Sequence, residues 1–247
     1  LIRQPNTGQM KIAIIGYGRM GRAIESLGKE LGHTFPLIID LDNRDELDGK
    51  RLAEVDAAVE FTSPDSGPGN VLACLEQGIP VVTGTTGWNE RLGEIRQYCH
   101  EKGGALFHAS NYSIGVNVLF ALNQQLAGIM DRFPRYRVAL KEVHHIHKLD
   151  APSGTALTLA GQIIEKNSRI NRWHPGTATE EGSLPVESVR EGEVTGQHFI
   201  RYESEVDLLT LGHEAKSRDA FAMGALMAAE FIRGKTGVFG MKELLKL

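Results

Sequence analysis

The chain has 247 residues, 41% hydrophobic and 23% charged, which fits one large globular domain or two small ones. With 27 basic against 31 acidic residues its formal net charge is −4, so no basic surface for nucleic acid is implied. No apolar run approaches the roughly 20 residues of a membrane span, and the residues before the first such run are polar, so neither a span nor a secretory leader is read.

Residues 1–9, LIRQPNTGQ, carry no pattern and are read as a remnant foreign to the fold, which Met10 opens. KIAIIG (11–16) predicts a buried strand, and residues 19–31 a helix through Met20, Ile24 and Leu27. PLIID (36–40) and VDAAVEF (55–61) predict a second and a third strand. Val71, Leu72 and Leu75 mark a helix, PVVTG (80–84) a fourth strand, 88–102 another helix, and GALFHAS (104–110) a fifth strand. Uniformly apolar strands alternating with helices imply parallel βαβ units buried on both faces. Cys74 and Cys99 fall in helix-like stretches without metal-type spacing and are read as reduced thiols of a cytoplasmic protein.

After residue 113 the pattern changes. Residues 116–130 predict a long helix, and YRVALKEVHH (136–145) alternates as a strand with one polar face. A helix over 153–166 and a polar loop over 167–182 come next. VESVR, QHFIRYES and EVDLLTLGHEA are three strand-like runs with hairpin-type spacing. The expected fold is α/β: a Rossmann-type parallel-sheet domain plus an α+β second domain with a largely antiparallel open sheet. The apolar helical run at 217–234 is expected to return and pack on the first domain.

Two segments carry chemistry. The first is Gly16-Tyr17-Gly18-Arg19-Met20-Gly21, a GxGxxG turn between a strand and a helix. Its glycines allow a tight turn and close approach to a pyrophosphate, and the helix N-terminus offers unpaired N–H groups. Asp40 ends the second strand 19 residues after Gly21, where an acid takes the adenosine ribose hydroxyls. A carboxylate there favours NADH, whereas Arg19 and Arg44 offer a 2′-phosphate a counter-charge, so NADH and/or NADPH is expected. FTSP with Thr62, and TGTTG with Gly84, Thr85 and Thr86, stand at the next two strand ends, where ligands of open parallel sheets lie.

The second segment is VHHIHKLDAPSGTA (143–156), with three histidines and a lysine within five residues. A metal site, a charged surface loop and a point of proton delivery are the readings available. Adjacent histidines on an extended strand point to opposite faces, and no Cys or separate His/Glu pair stands at zinc-type spacing, so no metal is expected. Histidine titrates near neutral pH and suits proton delivery. Ser153 reads as a helix cap, His147 as a surface residue, and His108 and His213 as structural.

GRMGR, FTSP, GTTG, ASNYSIGVNV, HHIHKLDAPSGTA, SVREGEVTGQH and HEAKSRDAFAMGA, in that order, resemble the dihydrodipicolinate reductase family of lysine and diaminopimelate biosynthesis across residues 10–240. The glycine turn is one residue shorter than the GxxGxxG form many members carry. The resemblance implies reduction of a cyclic imine dicarboxylate by a nicotinamide cofactor, in a homotetramer built through the second domain. It implies residues 10–113 and 218–247 as the dinucleotide-binding domain and 114–217 as the substrate-binding and oligomerisation domain. By motif, His144 and Lys148 are the implied proton donors, and His145, Gly154 and Thr155 the substrate ligands. Asp40, Gly84 to Thr86, and Ala109, Ser110, Asn111 and Tyr112 are the implied cofactor contacts. Two other readings stand beside this one: another two-domain amino-acid or sugar dehydrogenase, and a non-catalytic NADH sensor. The first leaves the histidine-lysine segment unexplained, and the second predicts a nucleic-acid-binding element or partner segment that the sequence does not show.

Overall fold

A computed structural model describes residues 8–247, and the reading of the first residues as foreign to the fold falls largely outside them. The chain divides into two compact units, one ending at Ile114 and resuming over Arg218–Leu247, the other spanning Gly115–Ser217. In the first, the five apolar runs form β1 (Lys11–Ile15), β2 (Thr34–Ile39), β3 (Ala57–Glu60), β4 (Val81–Thr83) and β5 (Ala105–His108). Between them run α1 (Arg19–Glu30), a 3-10 turn at Leu41–Glu46, the short α2 (Gly49–Leu52), α3 (Gly67–Glu76) and α4 (Asn89–Glu101). Strand side chains alternate between two buried layers. Ile12, Ile14, Val59, Val82 and Phe107 face one layer, and Ala13, Ile15, Ala58, Val81 and Leu106 the other. Helices cover both faces, which is why these runs lack a polar period. Cys74 and Cys99 are buried free thiols.

The second unit holds most of α5 (Ile114–Met130), then β6 (Arg137–His144), α6 (Gly154–Lys166), β7 (Arg172–Pro175), β8 (Ser183–Arg190), β9 (Gln197–Glu203) and β10 (Leu208–Glu214). Its sheet is mixed, in the order β10-β9-β6-β8-β7. β9 runs antiparallel to β10 and β6, whereas β8 runs parallel to β6 and β7. Two expectations are corrected. The polar loop at 167–182 contains β7, a four-residue edge strand with little apolar content, of the short and partly exposed kind that leaves no periodic signal. The hairpin spacing holds for β9 and β10 but not for β8 and β9, because β8 docks on the far side of β6. The chain's route is the cause: α6 carries it from β6 to the edge strand β7, and β8 then inserts between the two, parallel to both. Val138, Leu140, Leu184, Val186, Ile200 and Tyr202 form the sheet's side of the core against α5 and α6.

The chain then returns to the first unit through α7 (Asp219–Ile232), β11 (Gly237–Phe239) and α8 (Met241–Leu245). β11 pairs parallel with β5 and makes a sixth strand, giving the order β11-β5-β4-β3-β1-β2. Three residues were too short to register as a strand in the sequence. α7 buries Ala222, Ala225, Leu226, Ala228, Ala229 and Ile232 in the core that also holds Ile24 of α1. Its small residues permit close approach: a Cβ on Gly224 would lie 1.8 Å from the Tyr112 carbonyl oxygen.

Gly224→Ala is therefore expected to lower stability by about 1–3 kcal/mol or more through overpacking. Gly128→Ala, in α5 with open space around it, is expected to raise stability by about 0.5–1 kcal/mol. Urea unfolding of both variants checks the pair, and equal midpoints would refute the close-approach account.

Candidate active site

In the first unit, β1 ends in Gly16 at φ +95°, with its N–H donating to the Ile39 carbonyl at 2.8 Å. A Cβ there would stand 2.1 Å from the Phe61 carbonyl oxygen, so only glycine fits between β1 and the end of β3. The turn delivers the N-terminus of α1 to the carboxyl ends of these strands, and its N-cap, Gly18, makes no side-chain capping bond. Such a terminus attracts an anion. Beside it lies a cavity of about 480 Å³, walled by Gly16, Gly18, Asp40, Arg44, Phe61 and Thr62 among others. The cavity sits at the strand order's switch between β1 and β3, where dinucleotides bind in such sheets. The tight glycine cradle, the uncapped helix end and the carboxylate of Asp40 fit a pyrophosphate and a ribose.

The remaining expected cofactor residues divide. Tyr17, Arg19, Met20 and Gly21 do not wall this cavity. Tyr17 instead donates its hydroxyl to Glu25 and lies under the Arg22 guanidinium, 4.5 Å from ring centre. Arg44, rather than Arg19, stands with Asp40 on the cavity wall. Thr86 and Ser110 are exposed, but Thr85 is buried and turns its hydroxyl to Glu60 at 2.8 Å. Tyr112 is buried too, donating to the Thr83 carbonyl at 2.7 Å, with burial raising its pKa well above the ordinary phenol value. Asn111 accepts from the Ser113 N–H at 2.9 Å.

Sequence reasoning passed over Glu60, which is fully buried at the end of β3. It accepts from Thr83 Oγ1 (2.5 Å), Thr85 Oγ1 (2.8 Å), the Thr62 N–H (3.1 Å) and the Thr62 hydroxyl. This carboxylate ties together the two loops that follow β3 and β4.

In the second unit, β6 places Val138, Leu140, Glu142 and His144 on one face, because side chains repeat every second residue. Glu142 is fully buried, with His198 opposite it on β9 and Ser188 opposite it on β8. Both of its oxygens accept from the Ser153 N–H, at 3.0 and 3.2 Å, and Arg190 Nη2 lies 3.4 Å from Oε1. His144 Nδ1 stands 3.4 Å from Oε2, and its Nε2 is 3.1 Å from where a Cβ on Gly196 would be. Lys148 pairs with Asp150 at 2.8 Å. Arg190 braces that loop by donating to the Lys148 carbonyl at 3.3 Å and the Asp150 carbonyl at 2.5 Å. Ser153 caps α6 as expected, its Oγ accepting from the Ala156 N–H at 3.2 Å. Gly154 and Thr155 thus form the first turn of a 13-residue helix, the end that favours a carboxylate. His145 is half-buried, and His147 is exposed with Glu193 3.2 Å away.

Two bases at this end of the sheet, Lys148 and Arg190, are matched by two acids, Asp150 and Glu142. Burial pushes His144 below the ordinary imidazole pKa, Glu142 pulls it back up, and Lys148 and Arg190 push it further down. Burial pushes His198 down to about 4, leaving it neutral at neutral pH. Glu142 is destabilised as an anion by burial, yet the Ser153 donor and the neighbouring His144 hold its pKa below the usual carboxylate value. Glu142, His144 and His198 keep three ligand-type atoms within 4.8 Å of one another, a spacing that would suit a divalent cation. The donors already on Glu142 and the adjacent Arg190 and Lys148 charges work against one. The second unit also has a larger cavity of about 650 Å³, lined by Arg135, Arg137, Arg169 and Arg201. It lies at the start of β6, away from the histidines, and holds none of the expected site residues.

Glu142 and His198 were legible in principle. Each breaks the apolar face of an alternating strand, and Glu142 is two residues from His144 and therefore on its side.

Comparison with known proteins agrees over nearly the whole chain. Residues 10–112 match the family model "Dihydrodipicolinate reductase, N-terminus", and residues 115–245 match "Dihydrodipicolinate reductase, C-terminus". A 4-hydroxy-tetrahydrodipicolinate reductase of Christiangramia forsetii is 45% identical, covering 96% of this chain and 98% of its own. One from Neisseria meningitidis is 30% identical over the same shares. Among solved structures, a dipicolinate-bound dihydrodipicolinate reductase from Paenisporosarcina sp. TG-14 superposes with a TM-score of 0.73. It is 24% identical and covers 94% of this chain and 98% of its own.

Proposed function

The chain belongs to the dihydrodipicolinate reductase family, and we propose that His144 and Lys148 deliver the protons of its reaction while His145, Gly154 and Thr155 hold the substrate. The activity is that of a 4-hydroxy-tetrahydrodipicolinate reductase, an oxidoreductase of lysine and diaminopimelate biosynthesis that uses a nicotinamide cofactor. The cofactor, when bound, supplies a hydride to a conjugated cyclic imine. The chain's own residues must then bind a dicarboxylate, orient it, and protonate the electron-rich carbon that reduction leaves.

The observation that carries this reading is the seating of His144. Its Nδ1 faces buried Glu142 and its Nε2 faces Gly196, at the same carboxyl end of β6 that receives the N-terminus of α6. A histidine whose pKa is held low is neutral at neutral pH and a strong acid once protonated. A dianionic substrate at the α6 N-terminus would favour its protonated form. Lys148, held by Asp150, is the second donor, and the first-turn N–H groups of α6 take a carboxylate.

For the cofactor, Asp40 is the ribose acceptor, and Arg44 on the same wall tolerates a 2′-phosphate, so both NADH and NADPH are accepted. The reading of a homotetramer draws support from the second sheet's open face, where half-buried Val189 and Phe199 and exposed Leu208 stand clear of the helices.

His144→Ala and Lys148→Ala are each expected to lower kcat by ~10²–10⁴-fold with cofactor affinity intact, while His145→Ala acts mainly on KM. Steady-state kinetics with cofactor fluorescence check this, and near-wild-type kcat in both donor variants would overturn the proton-delivery reading. Asp40→Ala should weaken NADH more than NADPH, by on the order of 1–3 kcal/mol. Equal losses for the two in calorimetric titration would remove Asp40 from the ribose. Sedimentation equilibrium should give four chains per particle, and Phe199→Glu should dissociate them; a monomeric wild-type protein refutes the assembly.

A further inference from the structure

We propose that Glu142 is the positioning residue of this site: one buried carboxylate that fixes the ring of His144 and the start of α6 together, so that the proton donor and the carboxylate cradle move as a unit. The inference rests on the reading of His144 as a proton donor.

Glu142 has no solvent exposure, and a buried carboxylate is strongly unfavourable unless its lone pairs are met. Here the partners come from three different segments: Arg190 from β8, the Ser153 N–H ahead of α6, and His144 from its own strand, with His198 of β9 packed 3.7 Å away. Two of these contacts bear on the reaction. The Ser153 N–H is held by both carboxylate oxygens, and Ser153 in turn caps the helix whose next residues are Gly154 and Thr155. His144 Nδ1 has no hydrogen-bond partner that meets full geometry among the described residues, and Oε2 at 3.4 Å is the acceptor facing it. An acceptor facing Nδ1 keeps the proton on that nitrogen in the neutral ring, which leaves Nε2 as the atom that carries the transferred proton.

His198 does not replace Glu142 in this role. It packs edge-on to His144 with ring centres 5.1 Å apart, and it is neutral, being buried and faced by His144. Its Nε2 lies 3.2 Å from Ser153 Oγ and 3.7 Å from Glu142, so it fills the space between the carboxylate and the cap. The charged groups around His144 are Glu142 on its own strand, Lys148 and Asp150 in the following loop, and Arg190 on β8; His198 on β9 is the remaining titratable neighbour. Glu142 is the principal one of these that favours the imidazolium, with Asp150 a lesser one.

The test uses the full-length enzyme and two independent readouts. Nitrogen-15 NMR of the wild-type protein above the titration of His144 should show the ring protonated on Nδ1. The Nε2-protonated tautomer would overturn the proposal whether or not any variant folds. Glu142→Gln keeps the shape and one acceptor but removes the charge. It should lower kcat by at least about 10-fold and at most about 10⁴-fold, the loss seen when a catalytic histidine's tautomer-setting carboxylate becomes an amide, with cofactor affinity unchanged. Because His144 must be protonated to donate, and its pKa falls when Glu142 is neutralised, the alkaline loss of kcat should move to lower pH. Glu142→Asp, which restores the charge, should move that limb back toward wild type. A Gln variant with wild-type kcat and an unmoved limb overturns the proposal, as does an Asp variant no better than Gln. If His144→Ala keeps its activity, the proton-donor reading fails instead, and the tautomer measurement still decides whether Glu142 sets the ring.

Discussion

A helix that carries the chain from one strand to a parallel neighbour must return it to the starting edge of the sheet, so strand carboxyl ends and helix N-termini gather on one side. Both units of this chain are built on that constraint. In the first it brings Gly16, Asp40 and Thr62, which are far apart in sequence, onto the wall of one cavity beside the N-terminus of α1. In the second, α6 carries the chain from β6 to β7 and β8 then inserts between them, parallel to both, which brings His144, Arg190 and the first turn of α6 to one edge. Had β8 been the hairpin partner of β9, Arg190 would not lie opposite His144. The parallel half of a mixed sheet is what makes that end a site.

Each unit also places a carboxylate where solvent does not reach. Glu60 gathers three threonines, from the end of β4 and the loops after β3 and β4, and Glu142 gathers a serine N–H, an arginine and His144. Ionised groups are buried at a cost of several kcal/mol unless fully partnered. That demand constrains their neighbours as firmly as hydrophobic packing does. Threonine hydroxyls that sequence reasoning offers to a cofactor, Thr85 foremost, are turned inward to meet it. Asp40, Arg44, Ser63 and Asp65 stand with the glycine backbone on the cavity wall.

Much of this was legible in the sequence, for local reasons. Uniform apolar runs such as KIAIIG mark strands covered on both faces, and the GxGxxG spacing marks a turn that only glycine can make. The segment at 143–156 displays its chemistry in a single stretch because a strand end, a loop and a helix start follow one another directly. β7 and β11 escaped notice because strands of four and three residues give no period to detect. Glu142 escaped because an acid two residues before a histidine carries no pattern of its own, although parity with Val138 and Leu140 puts it on the buried face of β6.

The sequence by itself determined the longer strands and helices, the glycine turn, the histidine-lysine segment and the family they belong to, since each depends on neighbours within a few positions. Only the tertiary structure decided which side of β6 receives β8, which threonines face a carboxylate rather than a ligand, and which arginine reaches the cavity of Asp40. Those outcomes depend on strand pairing and burial between residues tens of positions apart, and no local pattern of side chains encodes the distance between them.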